Sequence, residues 1–127
     1  MDSICDFLRS TRSLTKLSLG DNSDLLSSTE TVGKLARALR ENTSVKVLGL
    51  DYCGLTDEGL AILMEELKFN KKLQQLDITG NELTDRGGIH IPKMLAENLN
   101  ILNIEFEDGN HLEIGKEVIY KMLEGRL

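Results

Sequence analysis

The stretch LQQLDITGNELTDRG, residues 73–87, decides how this chain folds. Its apolar residues follow no helix period, and strand alternation holds only over Leu76-Asp77-Ile78. A Gly-Asn pair follows, then a lone Leu83 and a further glycine. The irregular spacing recurs at a fixed step. Leu73 lies 28 residues after Val45 and 28 before Ile101. The same step links Leu48, Leu76 and Ile104, and also Leu50, Ile78 and Phe106. It links Gly59, Gly87 and Gly115, then Leu63, Ile91 and Ile119, then Leu67, Leu95 and Leu123. A shared period of this length marks a repeat architecture, in which each unit buries its apolar face only against its neighbours. An upstream unit carries Leu14, Leu17, Leu19 and Asn22, then Leu35 and Leu39. It starts 31 residues before Val45, so about three residues are extra, most simply within DNSDLLSSTETV (21–32). Ile4 and Leu8 precede Leu35 and Leu39 by the same 31. The expected organisation is one domain over 1–127: a helical half-unit (1–13) and units over 14–44, 45–72, 73–100 and 101–127.

Each unit divides into two kinds of segment. Leu76 and Ile78 alternate on a short strand and point inward, with Asp77 pointing out between them. GLAILMEELKFN (59–70) places Leu60, Leu63, Met64 and Leu67 at helical spacing. Thr56 or Asp57, and equivalently Thr84 or Asp85, are candidate N-caps. Pro92 predicts a third helix that starts late or irregularly, because proline brings no amide and crowds the preceding turn. The pattern LxxLxLxxN, then xLxxxG and an apolar helix, resembles the leucine-rich repeat of the ribonuclease-inhibitor-like class, over essentially the whole chain. The resemblance implies an α/β, right-handed solenoid arc. Short parallel strands near 16–19, 47–50, 75–78 and 103–106 would line its concave face, and helices its convex face. It also implies a ladder in which the asparagine side chain satisfies backbone groups of neighbouring turns. Asn22 and Asn81 match that position, and Cys53 takes it in the second unit. Gly109 stands there in the last unit with Asn110 one residue late, which predicts a distorted ladder. His111 falls in the column of Leu55 and Leu83 and reads as a half-buried turn residue.

Composition excludes several function classes. Hydrophobic residues make up 40% of the chain, but aromatics only 4% with no Trp, so the core must be aliphatic. No apolar run is long enough for a bilayer, and the N-terminus lacks a signal-peptide h-region, which predicts an intracellular, cytoplasmic protein with no membrane partner. Cys5 and Cys53 form no disulfide framework and read as buried thiols. The sequon Asn42-Thr43-Ser44 reads as a helix C-terminal turn. There is no P-loop, GxGxxG, HExxH or CxxC. His90 and His111 lie in different units without a nucleophile or an orienting acid. Glu107-Asp108-Gly109-Asn110 lacks the alternating ligand spacing of a calcium loop. No catalytic residue, metal or cofactor is therefore expected. The balance of 21 Asp plus Glu against 15 Lys plus Arg opposes nucleic acid as the partner.

A repeat array offers an extended face for binding. Of the sixteen outward strand and turn residues, six are acidic and Lys16 alone is basic. We expect a protein-interaction module with no activity of its own, binding a basic partner at Asp51, Tyr52, Asp77, Thr79, Glu105 and Glu107. Asp51, Asp77 and Glu105 are expected near one level on successive turns, with Tyr52 as an aromatic anchor. The repeats resemble those that NOD-like sensors carry at their C-terminal end. ALRENTSVKVLGL (38–50) and EELKFNKKLQQLDI (65–78) look like the C-terminal repeats of tropomodulin, which implies actin capping as one alternative. Tropomodulin continues past its last strand with a long basic helix, whereas this chain stops at LEGRL. The Ran GTPase activator, built on the same kind of repeat, implies a second. Self-association through the terminal repeats is expected from an open last strand bearing only Glu105 and Glu107 to discourage pairing.

Overall fold

The computed structural model describes residues 1–126. Leu127, the last residue of the unit expected over 101–127, lies outside the described residues. The elements in order are α1 (Asp2–Ser10), β1 (Lys16–Ser18), α2 (Thr29–Glu41), β2 (Val47–Gly49), α3 (Asp57–Leu67), β3 (Gln75–Asp77), α4 (Asp85–Gly88), α5 (His90–Glu97), β4 (Asn103–Glu105) and α6 (Lys116–Glu124). The strands form one parallel sheet in the order β1-β2-β3-β4. Its register sets Leu17, Leu48, Leu76 and Ile104 side by side, which is the step read in the sequence. α1, α2, α3 and the α4–α5 pair each lead the chain to the start of a strand, so the architecture is α/β with strands and helices in separate layers.

One apolar cluster runs from Cys5 to Leu123. Leu48, Leu50, Leu63, Leu67, Leu76, Ile78, Ile91, Leu95, Ile104 and Ile119 are all buried as expected. Leu14 and Leu17 are only partly buried, since among the described residues β1 has a neighbouring strand on one side alone. In the long first turn Leu26 is fully buried and its N–H donates to the Cys53 carbonyl, so the extra residues still supply core. Both thiols are buried and free.

The helix starts are set by hydroxyls. Ser28, Thr56 and Thr84 accept from the Glu30, Gly59 and Arg86 amides. The neighbouring aspartates act between turns instead: Asp57 accepts from the Thr84 N–H and hydroxyl, and Asp85 from the Glu113 and Ile114 amides. The helix expected to start irregularly is broken at Ile89 into α4 and α5, with Pro92 in the first turn of the second piece. A prolyl ring clashes with the carbonyl four residues back, here Gly88, and cannot donate to it.

The ladder is complete at its last rung, which corrects the expected distortion. Asn110 Oδ1 accepts from the Asn81 and Leu83 amides, while its Nδ2 donates to the Ile78 and Phe106 carbonyls. The extra residue is taken up before Asp108, whose carbonyl accepts from the Gly80 N–H, so Gly109 in the left-handed region (φ 69°) stands as Asp21, Tyr52 and Gly80 do just before their own rungs. The same insertion moves His111 out to the surface and lets Leu112 take the column of Leu55 and Leu83.

A second ladder runs along the helix C-termini at the same step: Asn42, Asn70 and Asn98. Their Nδ2 atoms donate to the Leu8, Leu39 and Leu67 carbonyls of the preceding turn. Their Oδ1 atoms accept the amides that turn each chain into the next strand. Asn42 is 3% exposed and fully engaged, so the sequon serves as a helix C-terminal turn. Arg126 stands where the next asparagine would be, and its guanidinium donates to the Leu95, Asn98 and Ile101 carbonyls. A guanidinium has no acceptor. The Arg126 side chain therefore closes the helix behind it but offers no acceptor to an amide.

Candidate functional site

Among the described residues nothing covers the sheet face away from the helices, and three rows of side chains cross it. Lys16, Val47, Gln75 and Asn103 form the lowest row, and Ser18, Gly49, Asp77 and Glu105 the middle one. Gly20, Asp51 and Thr79 continue the same step one pleat higher, where the Leu50 N–H donates to the Asp77 carbonyl and the Tyr52 N–H to the Thr79 carbonyl. In the last turn the Gly80 N–H donates to the Asp108 carbonyl, so the extra residue there moves Glu107 out of the row. The expectation of Asp51, Asp77 and Glu105 at one level is thus corrected. Asp77 and Glu105 share a row, and Asp51 lies diagonally above Asp77, because side chains on one strand face repeat every second residue. Together with Lys16 these acids line a shallow groove of about 250 Å³.

Each acid is held differently. The Asp77 carboxylate accepts from the Thr79 N–H (2.9 Å) and hydroxyl (2.8 Å), so Thr79 positions Asp77 before any partner arrives. Asp51 lies over bare backbone at Gly20, where an added Cβ would stand 2.5 Å from its Oδ1. Glu105 is exposed and accepts only from the Asn103 side-chain amide at 3.1 Å. Glu107 is exposed but reaches the molecule's own last helix. The Tyr120 hydroxyl and then the Lys116 ammonium (3.3 Å) hold its carboxyl below the ordinary range. That makes Glu107 a clamp on α6 rather than a free charge. Burial, followed by the hydrogen bond to Glu107, pushes Tyr120 up to about 12, and its ring rests 5.2 Å from that of Phe106.

Tyr52 is 49% exposed at the upper rim. Its positive φ of 52° swings the ring out over Gly80, where a Cβ would meet ring carbons at 2.4 Å. A left-handed tyrosine is strained, and the glycine beneath it makes the pose possible. The structure therefore gathers Asp51, Asp77 and Glu105 around one groove. Thr79 and Glu107 line a neighbouring hollow that shares Glu105, and Tyr52 lies over a separate depression with Gly54, Gly80 and Asn81. Gly20 and Gly80 escaped the reading of outward charges, although their place in the repeat columns marks them as backbone beds for Asp51 and Tyr52.

Among the described residues, no group of three or more His, Cys, Asp or Glu is placed to hold a metal ion. Burial raises both thiols above their ordinary range, which disfavours the reactive thiolate. No helix among them is long and apolar enough to cross a membrane.

A family model described as Leucine Rich repeat matches residues 41–64 and 69–91. Leiomodin-2 of Rattus norvegicus is 29% identical over 99 residues, covering 76% of this chain and 18% of that protein. The human NACHT, LRR and PYD domains-containing protein 13 is 32% identical over 96 residues, covering 75% of this chain and 9% of that one. This chain thus spans less than a fifth of either relative. Among solved structures, leiomodin-1 actin-binding site 2 superposes with a TM-score of 0.78 at 19% identity, covering 98% of this chain and 87% of that one. The tropomodulin C-terminal domain from Caenorhabditis elegans gives 0.62 at 15% identity, over 98% and 91% of the respective chains. These two likenesses establish fold. With the period, the in-register parallel strands and the asparagine ladder, they lead to one conclusion: the chain is a leucine-rich-repeat protein with repeats of the tropomodulin and NOD-like type.

Proposed function

We propose that this chain is a single non-catalytic binding domain of the cytoplasm, a right-handed arc whose concave face is the open sheet. That face takes a basic protein segment. The observation that carries the reading is the uncovered acidic patch of Asp77 and Glu105 in one row with Asp51 diagonal to them, beside a half-exposed tyrosine. Neighbouring strands lie about 4.8 Å apart, so the acids repel one another, and the local hydrogen bonds to Asp77 and Glu105 leave that repulsion in place. A cationic segment relieves that repulsion, and the clustered carboxylates speed its approach. Tyr52 supplies an aromatic contact of the kind that dominates interface energetics. Thr79 keeps Asp77 in place.

The test is titration of the chain with an oligolysine peptide at low and high salt. Asp51→Asn, Asp77→Asn and Glu105→Gln together should weaken binding at least ~10-fold at low salt. Equal affinity of the triple variant removes the concave face from consideration.

A second reading names actin as the partner, favoured by the fit to leiomodin-1 actin-binding site 2 along nearly the whole chain. Co-sedimentation with filaments and a nucleation assay decide it; a chain that neither pellets with actin nor alters its assembly does not bind it. The GTPase-activator reading has no comparable support in the geometry, and an unchanged hydrolysis rate with small GTPases would close it.

A further inference from the structure

Charge is sorted along the strand direction. The segments that leave the strands and enter the helices (18–30, 49–58, 77–86 and 105–117) hold 14 of the 21 acidic residues and only two of the 15 basic ones. The segments that leave the helices and enter the strands (9–16, 40–47, 68–75, 96–103 and 124–126) hold nine of the basic residues and three acids. Because the strands are parallel and in register, every segment of one kind lies along the same edge of the sheet. The molecule has an acidic upper edge and a basic lower edge.

We infer that the lower edge of the first three turns is a second interaction surface, one that docks an acidic protein segment. Its centre is Arg12, Lys46, Lys71 and Lys72, all exposed. The loops are in contact: Arg12 Nη1 donates to Thr43 Oγ1 at 3.2 Å, and the Gln74 and Gln75 amides donate to the Lys46 carbonyl. Arg9, Arg40 and Lys68 nearby have carboxylate partners, but among the described residues no ion pair involves these four.

Cations near helix C-termini commonly serve the helix by meeting its last carbonyls. That role is already filled here, since Asn42, Asn70 and Asn98 donate to carbonyls of the last helical turns and Arg126 takes over in the final rung. Lys46, Lys71 and Lys72 lie beyond those turns, at the strand entrances. Phe69 adds an apolar contact on the same edge. It is 49% exposed, and the Arg40 guanidinium sits 4.0 Å over its ring. Aromatic and arginine together are the residues that anchor protein interfaces. The acidic upper edge and the net charge of −6 oppose long polyanions such as duplex nucleic acid or an anionic membrane, which would meet both edges. A short acidic protein segment meets the lower edge alone.

The experiment uses the whole chain and a labelled oligoglutamate peptide, followed by fluorescence anisotropy and by backbone amide shifts. Binding should weaken at least ~10-fold in Lys46→Glu/Lys71→Glu/Lys72→Glu. It should persist in the matching Lys→Arg variant, whose fold serves as the control. Shifts should centre on 43–46 and 69–74. The variant neutralised at Asp51, Asp77 and Glu105 should bind the peptide no less well, so failure here is distinct from failure of the concave-face reading. The inference is overturned by full binding in the charge-reversed variant, by shifts centred on the open sheet face, or by tighter binding to phosphatidylserine vesicles or duplex DNA than to the peptide.

Discussion

Asn81 makes five hydrogen bonds with one side chain: its Oδ1 accepts from the Cys53 and Leu55 amides, and its Nδ2 donates to the Leu50, Ile78 and Thr79 carbonyls. Asn22 has the same place in its repeat, but its side chain donates to its own Leu19 and Gly20 carbonyls and remains exposed. A buried donor or acceptor left unpaired costs about 1–3 kcal/mol. Asn81→Ala should therefore destabilise the fold by at least ~3 kcal/mol in denaturant unfolding, from several such groups together. Asn22→Ala should cost under ~1 kcal/mol, since water replaces what it loses. Similar losses at both sites would contradict the ladder. Leu76 is 1% exposed between Leu48 and Ile104. Its truncation to Ala should cost roughly 2–5 kcal/mol, and a loss below ~1 kcal/mol would mean the column is not packed.

Among the elements, α6 is fastened to the segment after β4 by titratable groups whose pKa values are shifted. Its Tyr120 and Lys116 meet Glu107, just past β4. Glu107 has a lowered pKa, so its contribution to docking is complete above the ordinary carboxylate range and is lost as pH falls through the lowered value. Tyr120 has a raised pKa, so its contribution is complete below 10.0 and is lost as pH rises through about 12. Spectrophotometric titration in a Tyr52→Phe background isolates Tyr120. Glu107→Gln should bring its pKa down from about 12 but leave it above 10.0, because burial is the larger cause and survives the change. A titration unmoved by Glu107→Gln would dissolve the clamp.

For the whole molecule, the two ends of the sheet differ. α1 packs on α2 at the first end, but among the described residues no strand lies outside β4 at the last. Ile114 (82% exposed) and Val118 (50%) stand bare beside it. An unpaired edge with apolar neighbours favours pairing with another chain. We propose self-association through this end, seen as a weight-average mass that rises with concentration in light scattering and returns to monomer in Val118→Lys. A constant monomer mass across the range rules it out.

The 28-residue step already contains the strand positions, the inward leucines and the asparagine rungs. Burial of an apolar column needs only that each unit repeat its neighbour's spacing. The second ladder was equally open to view, since Asn42, Asn70 and Asn98 keep the same step, yet helix-end asparagines invite a local turn reading. Three matters depended on distances along no single segment. The insertion at 107–110 looked like a broken rung in a linear alignment, but the extra residue is taken up before Asp108 and Asn110 makes the full set of rung bonds. Asp51 looked level with Asp77 until the register set it one pleat higher. Glu107 looked free until α6 folded back on it. A repeat period fixes what each turn buries; which charges stay free depends on which side chains from other turns reach them, and that is settled only when the turns are stacked.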